Sequence, residues 1–378
     1  MTFTDLQLPP ELTAALAKQQ IADPTAIQVA AVPVLLGGRD AYLNAETGTG
    51  KTLAYLLPIF CRLDASLAAT QAIIIAPTHE LAIQIHRQSC DLAQHAGWPI
   101  RSVLLIGGTA TDRQIEKLKK KPQIVVGSPG RIGELLAKGK LKAKNVRSIV
   151  IDEADRLLNE EALPAVLLII NAAPAARQLI FASATVEPES MTAIATLSPE
   201  LVMLRTATAA ISENIEHLYL LCEERDKPDE LRKLLHALEP ERAIVFTHRN
   251  DKALQIAARL AHHHIPAADL NAALDKEQRK RAMEGLRSGA VRVLIASDIA
   301  ARGLDIKGVT HIFNFDVPTL AKAYLHRVGR TGRAGAKGMA VTLATEIEAR
   351  VMPRYRDELG IEIHRVRMRG GRLIAGGE

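Results

Sequence analysis

Short runs of apolar, often β-branched residues alternate along this chain with longer stretches of amphipathic helical pattern. Ala72–Ala76, Ile124–Gly127, Ile149–Ile151 and Gln178–Ala182 each lead into a turn or a helical stretch. Runs of strand length without polar alternation belong to strands covered on both faces. Their alternation with helices predicts an α/β fold with mostly parallel sheets flanked by helices. The rhythm resumes with Ala243–Thr247, Val291–Ala296, His311–Phe315 and Gly338–Leu343, which implies a second sheet. Between the two sets lies Arg205–Asn214, RTATAAISEN, small and polar as a flexible connection is. The expected organisation is an N-terminal domain over 1–207, a linker over 208–215, a second domain over 216–352 and a basic C-terminal tail over 353–378.

A length of 378 residues suits two domains of about 100 to 200 residues each, and two domains create a cleft. With 48% hydrophobic and 24% charged residues the composition is that of a globular protein. No apolar run approaches the roughly 20 residues of a membrane span, and Met1–Gln20 lacks a secretory pattern, so the expectation is a cytoplasmic protein. Cys61, Cys90 and Cys222 are far apart and form neither a disulfide framework nor a zinc site. A net charge of +6 favours a polyanionic partner. Aromatic residues make up only 3%, so a nucleic acid would be held mainly by phosphates and sugars. The lysines of 117–121 and 138–144 read as solvated helix ends and loops. His262, His263 and His264 read as a helix terminus, where cations suit the dipole.

Ala45–Thr52, AETGTGKT, stands between apolar Ala41–Leu43 and the helical pattern Leu53–Phe60, the strand, loop and helix order of a phosphate cradle. In the loop Thr47-Gly48-Thr49-Gly50 the two glycines let backbone N–H groups close around phosphate oxygens. Lys51 neutralises the terminal phosphates, and Thr52 reaches Mg²⁺. One hundred residues on, the strand Ser148–Ile151 runs into Asp152-Glu153-Ala154-Asp155. Carboxylates at a strand's C-terminal end sit beside such a loop. Asp152 is the candidate for Mg²⁺, partly through water, and Glu153 for orienting and deprotonating the attacking water, so that the cofactors are ATP and Mg²⁺.

At these four residues the chain resembles the DEAD-box ATP-dependent RNA helicases of superfamily 2, and the resemblance extends over roughly Phe3–Leu343. It implies two tandem RecA-like domains that close on ATP and on one RNA strand, locally unwinding short duplexes or remodelling RNA–protein complexes. The adenine-reading segment resembles Pro24-Thr25-Ala26-Ile27-Gln28, with Gln28 on the adenine edge, Thr25 beside it and Phe3 packing on the ring. Gln20 and Ile21 depart from the family's glycine and aromatic. Ser183-Ala184-Thr185 resembles the segment that couples Asp155 to RNA. Pro77, Thr78, His79, Gly108, Ser128 and Arg131 fall in stretches that resemble RNA-contacting motifs of the first domain. His79 stands where arginine is usual, and an imidazole gives one fewer bidentate contact, so a weaker or pH-sensitive grip is expected.

In the second domain the resemblance covers Val245–Thr247, Ser297–Asp305 and His326–Arg333. It implies RNA contact at Thr247 and Ser297, nucleotide contact at Gly303 and Asp305, a coupling role for His326, and Arg330 and Arg333 as arginine fingers at the γ-phosphate. Asn271–Arg279 departs from the family by lacking its His-Gly and by Lys276 in place of glutamine, while Arg279 is retained. A monomeric enzyme with RNA as partner, RNA-stimulated in its ATPase activity, is the expected function. Basic residues of the tail are frayed or touch RNA. The rival expectations are a DNA-directed translocase of the same superfamily and an RNA clamp with little unwinding.

Overall fold

The computed structural model describes all residues except 46–47, 187, 206–213, 249, 271–273, 275, 302–305, 307, 333–335 and 377–378. The chain divides into two compact units, Met1–Thr208 and Ala209–Glu378. Most of the expected linker lies outside the described residues.

The first unit is built on a seven-stranded sheet of β1 (Ala41–Asn44), β2 (Ala72–Ile75), β3 (Ser102–Leu105), β4 (Ile124–Gly127), β5 (Ser148–Asp152), β6 (Gln178–Ser183) and β7 (Val202–Arg205). Its order is β3-β4-β2-β5-β6-β1-β7, and every neighbouring pair is parallel. Successive side chains of a strand point to opposite faces. Ile74, Val126, Val150 and Ile180 therefore enter one core with Leu12, Ala31, Leu56 and Ile85. Ile73, Ile75, Val125, Ile149 and Ile151 enter the other with Ile132, Leu135, Val166 and Ile169. Both faces are covered by helices, which is why these strands read as continuous apolar runs.

The second unit has eight strands: β8 (Ile215–Leu221), β9 (Ala243–Thr247), β10 (Ala267–Leu270), β11 (Val293–Ser297), β12 (His311–Asn314), β13 (Gly338–Ala344), β14 (His364–Arg369) and β15 (Arg372–Ala375). Their order is β10-β11-β9-β12-β13-β8-β14-β15, parallel throughout except for the antiparallel β14/β15 pair. The tail expected over 353–378 is thus corrected. The helix Met352–Leu359 buries Met352 and Tyr355, β14 extends the sheet beside β8, and β15 returns along it. The physical reason is an alternation hidden by arginine: Val366 is buried against Leu218, Leu231 and Leu234, with Met368 packed behind it.

Arg327 organises the C-terminal edge of this second sheet. It is 1% exposed on the helix Ala321–Val328. Its Nε and Nη2 donate to the two carboxylate oxygens of Asp298 at 2.7 and 2.8 Å. Nη1 donates to Asn314 Oδ1 at 3.2 Å and to the Asp316 carbonyl at 2.6 Å. The guanidinium lies 5.2 Å from the centre of the Phe246 ring. Truncating a buried member of such a pair typically costs about 3–5 kcal/mol, and the 32% exposure of Asp298 places this one toward the lower end. Arg327→Ala is expected to strip hydrogen-exchange protection from β9, β11 and β12 while leaving the first unit protected. Unchanged protection in those three strands refutes this role.

Candidate functional site

In parallel sheets all strand C-termini lie along one edge, the usual ligand edge of open α/β sheets. Strand order decides which loops meet there. β5, β6 and β1 are consecutive, and the register sets Asp152 beside Ala182, Leu43 beside Ala182, and Asn44 beside Ser183. The acidic motif, the Ser-Ala-Thr segment and the phosphate loop therefore leave the sheet side by side. Ala45 continues the ladder by donating its N–H to the Ser183 carbonyl at 3.1 Å.

The loop turns through Gly48 (φ 87°) and Gly50 (φ 92°), a left-handed region that costs an ordinary side chain. The helix Lys51–Arg62 follows Gly50 with no side chain capping its first N–H groups. Such a helix start, with its positive dipole end, is suited to an anion. Gln28 braces the loop from the helix Ala26–Leu36. It is 1% exposed, donates Nε2 to the Gly50 carbonyl at 3.1 Å, and accepts the Thr25 N–H on Oε1 at 3.0 Å. A Cβ on residue 50 would collide with this amide. Both ends of the amide assigned by resemblance to adenine are thus engaged within the unit. Phe3 is 2% exposed in the core that includes Leu12 and Ile27. Thr49 and Thr52 flank Gly50 and Lys51 in the same loop and helix start, while Thr47 lies outside the described residues.

Asp152 ends β5 at 4% exposure. It accepts the Tyr55 hydroxyl at 2.8 Å and the Glu153 N–H at 2.9 Å. Burial pushes its carboxyl up to about 6, and the nearby Lys51 ammonium pulls the other way without prevailing. Lys51 Nζ donates to the Ala45 carbonyl, which folds the ammonium back over the loop. Tyr55 follows Lys51 by one helical turn and so shares its face, a signal that the i, i+4 spacing contained. Glu153 adopts φ 51° and ψ 54°, costly for a residue with a Cβ, and pairs with Arg156 at 3.0 Å. Asp155 accepts the Ser183 hydroxyl at 2.7 Å and the Thr185 hydroxyl at 2.8 Å. The Thr185 carbonyl in turn accepts the Tyr42 hydroxyl at 2.6 Å.

No group of three or more His, Cys, Asp or Glu residues able to hold a metal occurs among the described residues. A buried carboxylate at a strand end, with the Thr52 hydroxyl beside Lys51, still fits a hard, water-retaining cation of the Mg²⁺ type. That ion takes one or two carboxylates together with substrate phosphates rather than a full protein cage.

The other half of the same sheet, β3-β4-β2, carries the second set of sequence-predicted residues. Pro77 and Thr78 follow β2, Gly107–Gly108 follow β3, and Ser128 follows β4. Thr78 caps the helix His79–Ala96 by accepting the Leu81 N–H at 3.2 Å. His79 lies against Gly107, where an added Cβ would sit 3.5 Å from its Nε2. Gly108 adopts φ 68° with open space about it. Ser128 donates its N–H to the Leu105 carbonyl at 3.0 Å. Arg131, 12% exposed, is tied to Glu134 at 2.9 Å and to the Thr109 carbonyl at 3.3 Å. The sequence reading missed these intramolecular partners.

On the second unit Thr247 and Ser297 face each other across β9 and β11. The Ser297 hydroxyl accepts the Ala300 N–H at 3.4 Å, capping the turn that follows. His326 lies on the helix that bears Arg327, and Arg330, 9% exposed, follows it. Gly303, Asp305 and Arg333 lie outside the described residues. Sequence reading did not single out Arg327, although it stands beside His326 in the same motif.

Residues 25–194 match the DEAD/DEAH box helicase family, and 226–335 match the helicase conserved C-terminal domain. The DEAD-box ATP-dependent RNA helicase CshC of Bacillus cereus is 38% identical over 365 residues, covering 97% of this chain and 93% of that protein. The probable ATP-dependent RNA helicase YfmL of Bacillus subtilis is 37% identical, covering 93% and 92%. Among solved structures, S. cerevisiae Dbp5 bound to RNA and ADP BeF3 matches with a TM-score of 0.86 at 28% identity, over 97% of this chain and 95% of that one. With a strand-end phosphate loop, an adjacent Asp-Glu-Ala-Asp turn and two parallel α/β units, the chain belongs to the DEAD-box ATP-dependent RNA helicase family.

Proposed function

We propose that this protein hydrolyses ATP in response to a single RNA strand and uses that hydrolysis to separate short duplexes or to remodel RNA–protein complexes. The observation that carries the reading is the placement of both motif sets along one edge of one sheet. The nucleotide residues end β5, β6 and β1, and the RNA-type residues end β3, β4 and β2. Asp155, bonded to Ser183 and Thr185, stands at the nucleotide end of that edge.

The roles follow from chemistry. Thr49, Gly50 and Lys51 hold phosphates with backbone N–H groups, a helix start and an ammonium. Thr52 and Asp152 would hold Mg²⁺, partly through water, and the ion would neutralise charge on the phosphate oxygens. Glu153 orients and deprotonates the attacking water. Gln28 and Thr25 read the adenine edge, Phe3 packs on the ring, and adenine occupancy is reported through Gln28 to the loop it braces. Pro77, Thr78, His79, Gly108, Ser128 and Arg131 receive the RNA backbone with hydroxyl, N–H and cationic groups. The second unit contributes Thr247 and Ser297 to RNA, Gly303 and Asp305 to nucleotide, His326 to coupling, and Arg330 and Arg333 to the γ-phosphate. Its hydrolytic competence then depends on ATP and RNA being held together. The reading places the protein in the cytoplasm and assigns 1–207 and 216–352 to the two functional domains.

ATPase turnover is expected to rise on adding RNA and not on adding DNA of the same sequence, since 2′-hydroxyls distinguish the two. Glu153→Gln is expected to lower turnover about 10²- to 10⁴-fold, the usual contribution of a positioned general base. RNA-independent turnover, or turnover that survives this substitution, sinks the reading, and equal stimulation by DNA favours a translocase. ATPase stimulation without release of short duplexes in a strand-displacement assay leaves the clamp.

The raised Asp152 carboxyl fixes the sign of a pH effect. In the free protein its proton is favoured by folding, so its stabilising contribution is complete below about pH 4 and fades as pH rises through about 6. Cation binding requires the carboxylate. Affinity for Mg²⁺-nucleotide is therefore expected to fall as pH drops through about 6, approaching ten-fold per unit, and to lose this dependence in Asp152→Asn. A flat profile for the unaltered protein between about pH 5 and about pH 8, in titrations with a non-hydrolysable ATP analogue, contradicts the assignment.

A further inference from the structure

The β14–β15 hairpin carries a charge arrangement that neither the motor site nor the fold uses. Arg365, Arg367 and Arg369 alternate along β14 and are all exposed, so they share one face at spacings of about 6.8 Å. Arg372 opens β15 and pairs in register with Arg369, which sets two like charges directly across the strands. Such a pair is destabilising in isolation. Some exposed arginines of this unit have acidic partners, as Arg259 has Asp229 at 2.9 Å and Arg354 has Glu358 at 3.3 Å. None of these four guanidinium groups has a hydrogen-bond or ion-pair partner among the described residues, and Glu362 is the only acid in 361–376.

Protection of a sheet edge does not account for them. The edge strand is β15, whereas three of the four arginines stand on β14, which lies between β8 and β15: Arg365 pairs with Tyr219 of β8, and Arg367 and Arg369 pair with Ile374 and Arg372 of β15. Folding accounts only for the intervening residues, of which Val366 is buried and Met368 partly so. At the tip Gly370 and Gly371 take φ 58° and 74°, the two left-handed positions of a tight hairpin turn, with nothing near their missing Cβ positions. The tip is thus open to close approach by a backbone. Beside it a cavity of about 450 Å³ is lined by Arg232, by Lys233, which is paired with Glu230 at 2.6 Å, and by His236, Met368 and the two glycines.

We infer that this hairpin is an auxiliary phosphate-binding platform for RNA outside the segment held by the motor residues. The inference rests on the reading of the protein as an RNA-dependent ATPase, and it adds a site in the second unit to those assigned above. A row of unpaired guanidinium groups at regular spacing matches the periodic charge of a sugar–phosphate backbone, and its binding is indifferent to base sequence. The platform retains a strand whose central part is released during turnover.

The test compares the full chain with R365Q/R367Q/R369Q and R365K/R367K/R369K. Binding is read by fluorescence anisotropy on a long oligouridylate and on one short enough to fill the motor site alone, at several salt concentrations. The glutamine variant is expected to bind the long RNA roughly ten-fold more weakly at low salt. Its log–log salt slope is expected to be shallower by about 2, the counterions of three lost single-strand contacts at about 0.7 each. Affinity for the short RNA and ATPase stimulation by it are expected to hold, and the lysine variant is expected to restore the slope. Unchanged affinity and slope on the long RNA overturn the inference. So does equal loss on short and long RNA, which makes the arginines part of the central grip, and so does binding of anionic vesicles with RNA affinity unaffected. Failure of the underlying reading shows separately, as an unaltered protein whose ATPase no RNA stimulates.

Discussion

The parallel register of β5, β6 and β1 is the constraint on which the site depends. Because β6 pairs with both neighbours, the backbone that presents Ser183 is fixed against Asp152 on one side and Asn44 on the other. No local propensity of the phosphate loop achieves this. The two cores on either face of the sheet hold the strands in place, and a slip of one residue is costly because it would move Ile149 and Ile151 from one packed core into the other and Ile180 the opposite way. Precision in the site is inherited from packing several residues below it.

At the sheet edge the polar groups are few and mutually dependent. Asp152 is a buried carboxylate whose desolvation outweighs the Lys51 ammonium, so the free site holds a charge poorly and, in the proposed role, would gain from a bound cation. Glu153 occupies a left-handed backbone position, and Gly50 cannot carry a Cβ without displacing Gln28. Strain and desolvation are concentrated where phosphate, cation and water are to be received. The hydroxyls of Ser183 and Thr185, by contrast, each hold one oxygen of the Asp155 carboxylate, giving a set of partners that can exchange together when a ligand competes for one of them.

Much of this was legible in the sequence, for identifiable reasons. Continuous apolar runs marked β2, β4, β5 and β6 because both faces of that sheet are buried, and the glycine spacing of 48 and 50 with Lys51 marked the loop because only that conformation serves the backbone. Gln28 was legible as a functional amide but not as the brace of Gly50, since a hydrogen bond across 22 residues leaves no local pattern. Arg131 read as a projecting cation, whereas Glu134, one turn along, ties it down. The terminal hairpin was lost because arginine dominates RVRMR and a period of two is hard to see when the buried set is only Val366 and Met368. Tyr55 was recoverable from its i, i+4 spacing to Lys51 and was overlooked.

Arginine serves opposite ends in the second unit, and the contrast explains why composition alone misleads. Arg327 is buried with four donor bonds directed at Asp298, Asn314 and the Asp316 carbonyl and with its guanidinium over Phe246, so its charge is paired with Asp298 in fixing the ends of β9, β11 and β12. Arg365, Arg367 and Arg369 stand exposed on a strand whose stability comes from the residues between them. A guanidinium paired with a carboxylate adds little to the outward field, whereas an unpaired exposed one contributes its charge, screened by solvent and salt. The net charge of +6 is therefore a poor measure of where a polyanion meets this protein. The pairing state of each arginine, invisible to a count, separates those that hold the fold from those whose charge is left to solvent.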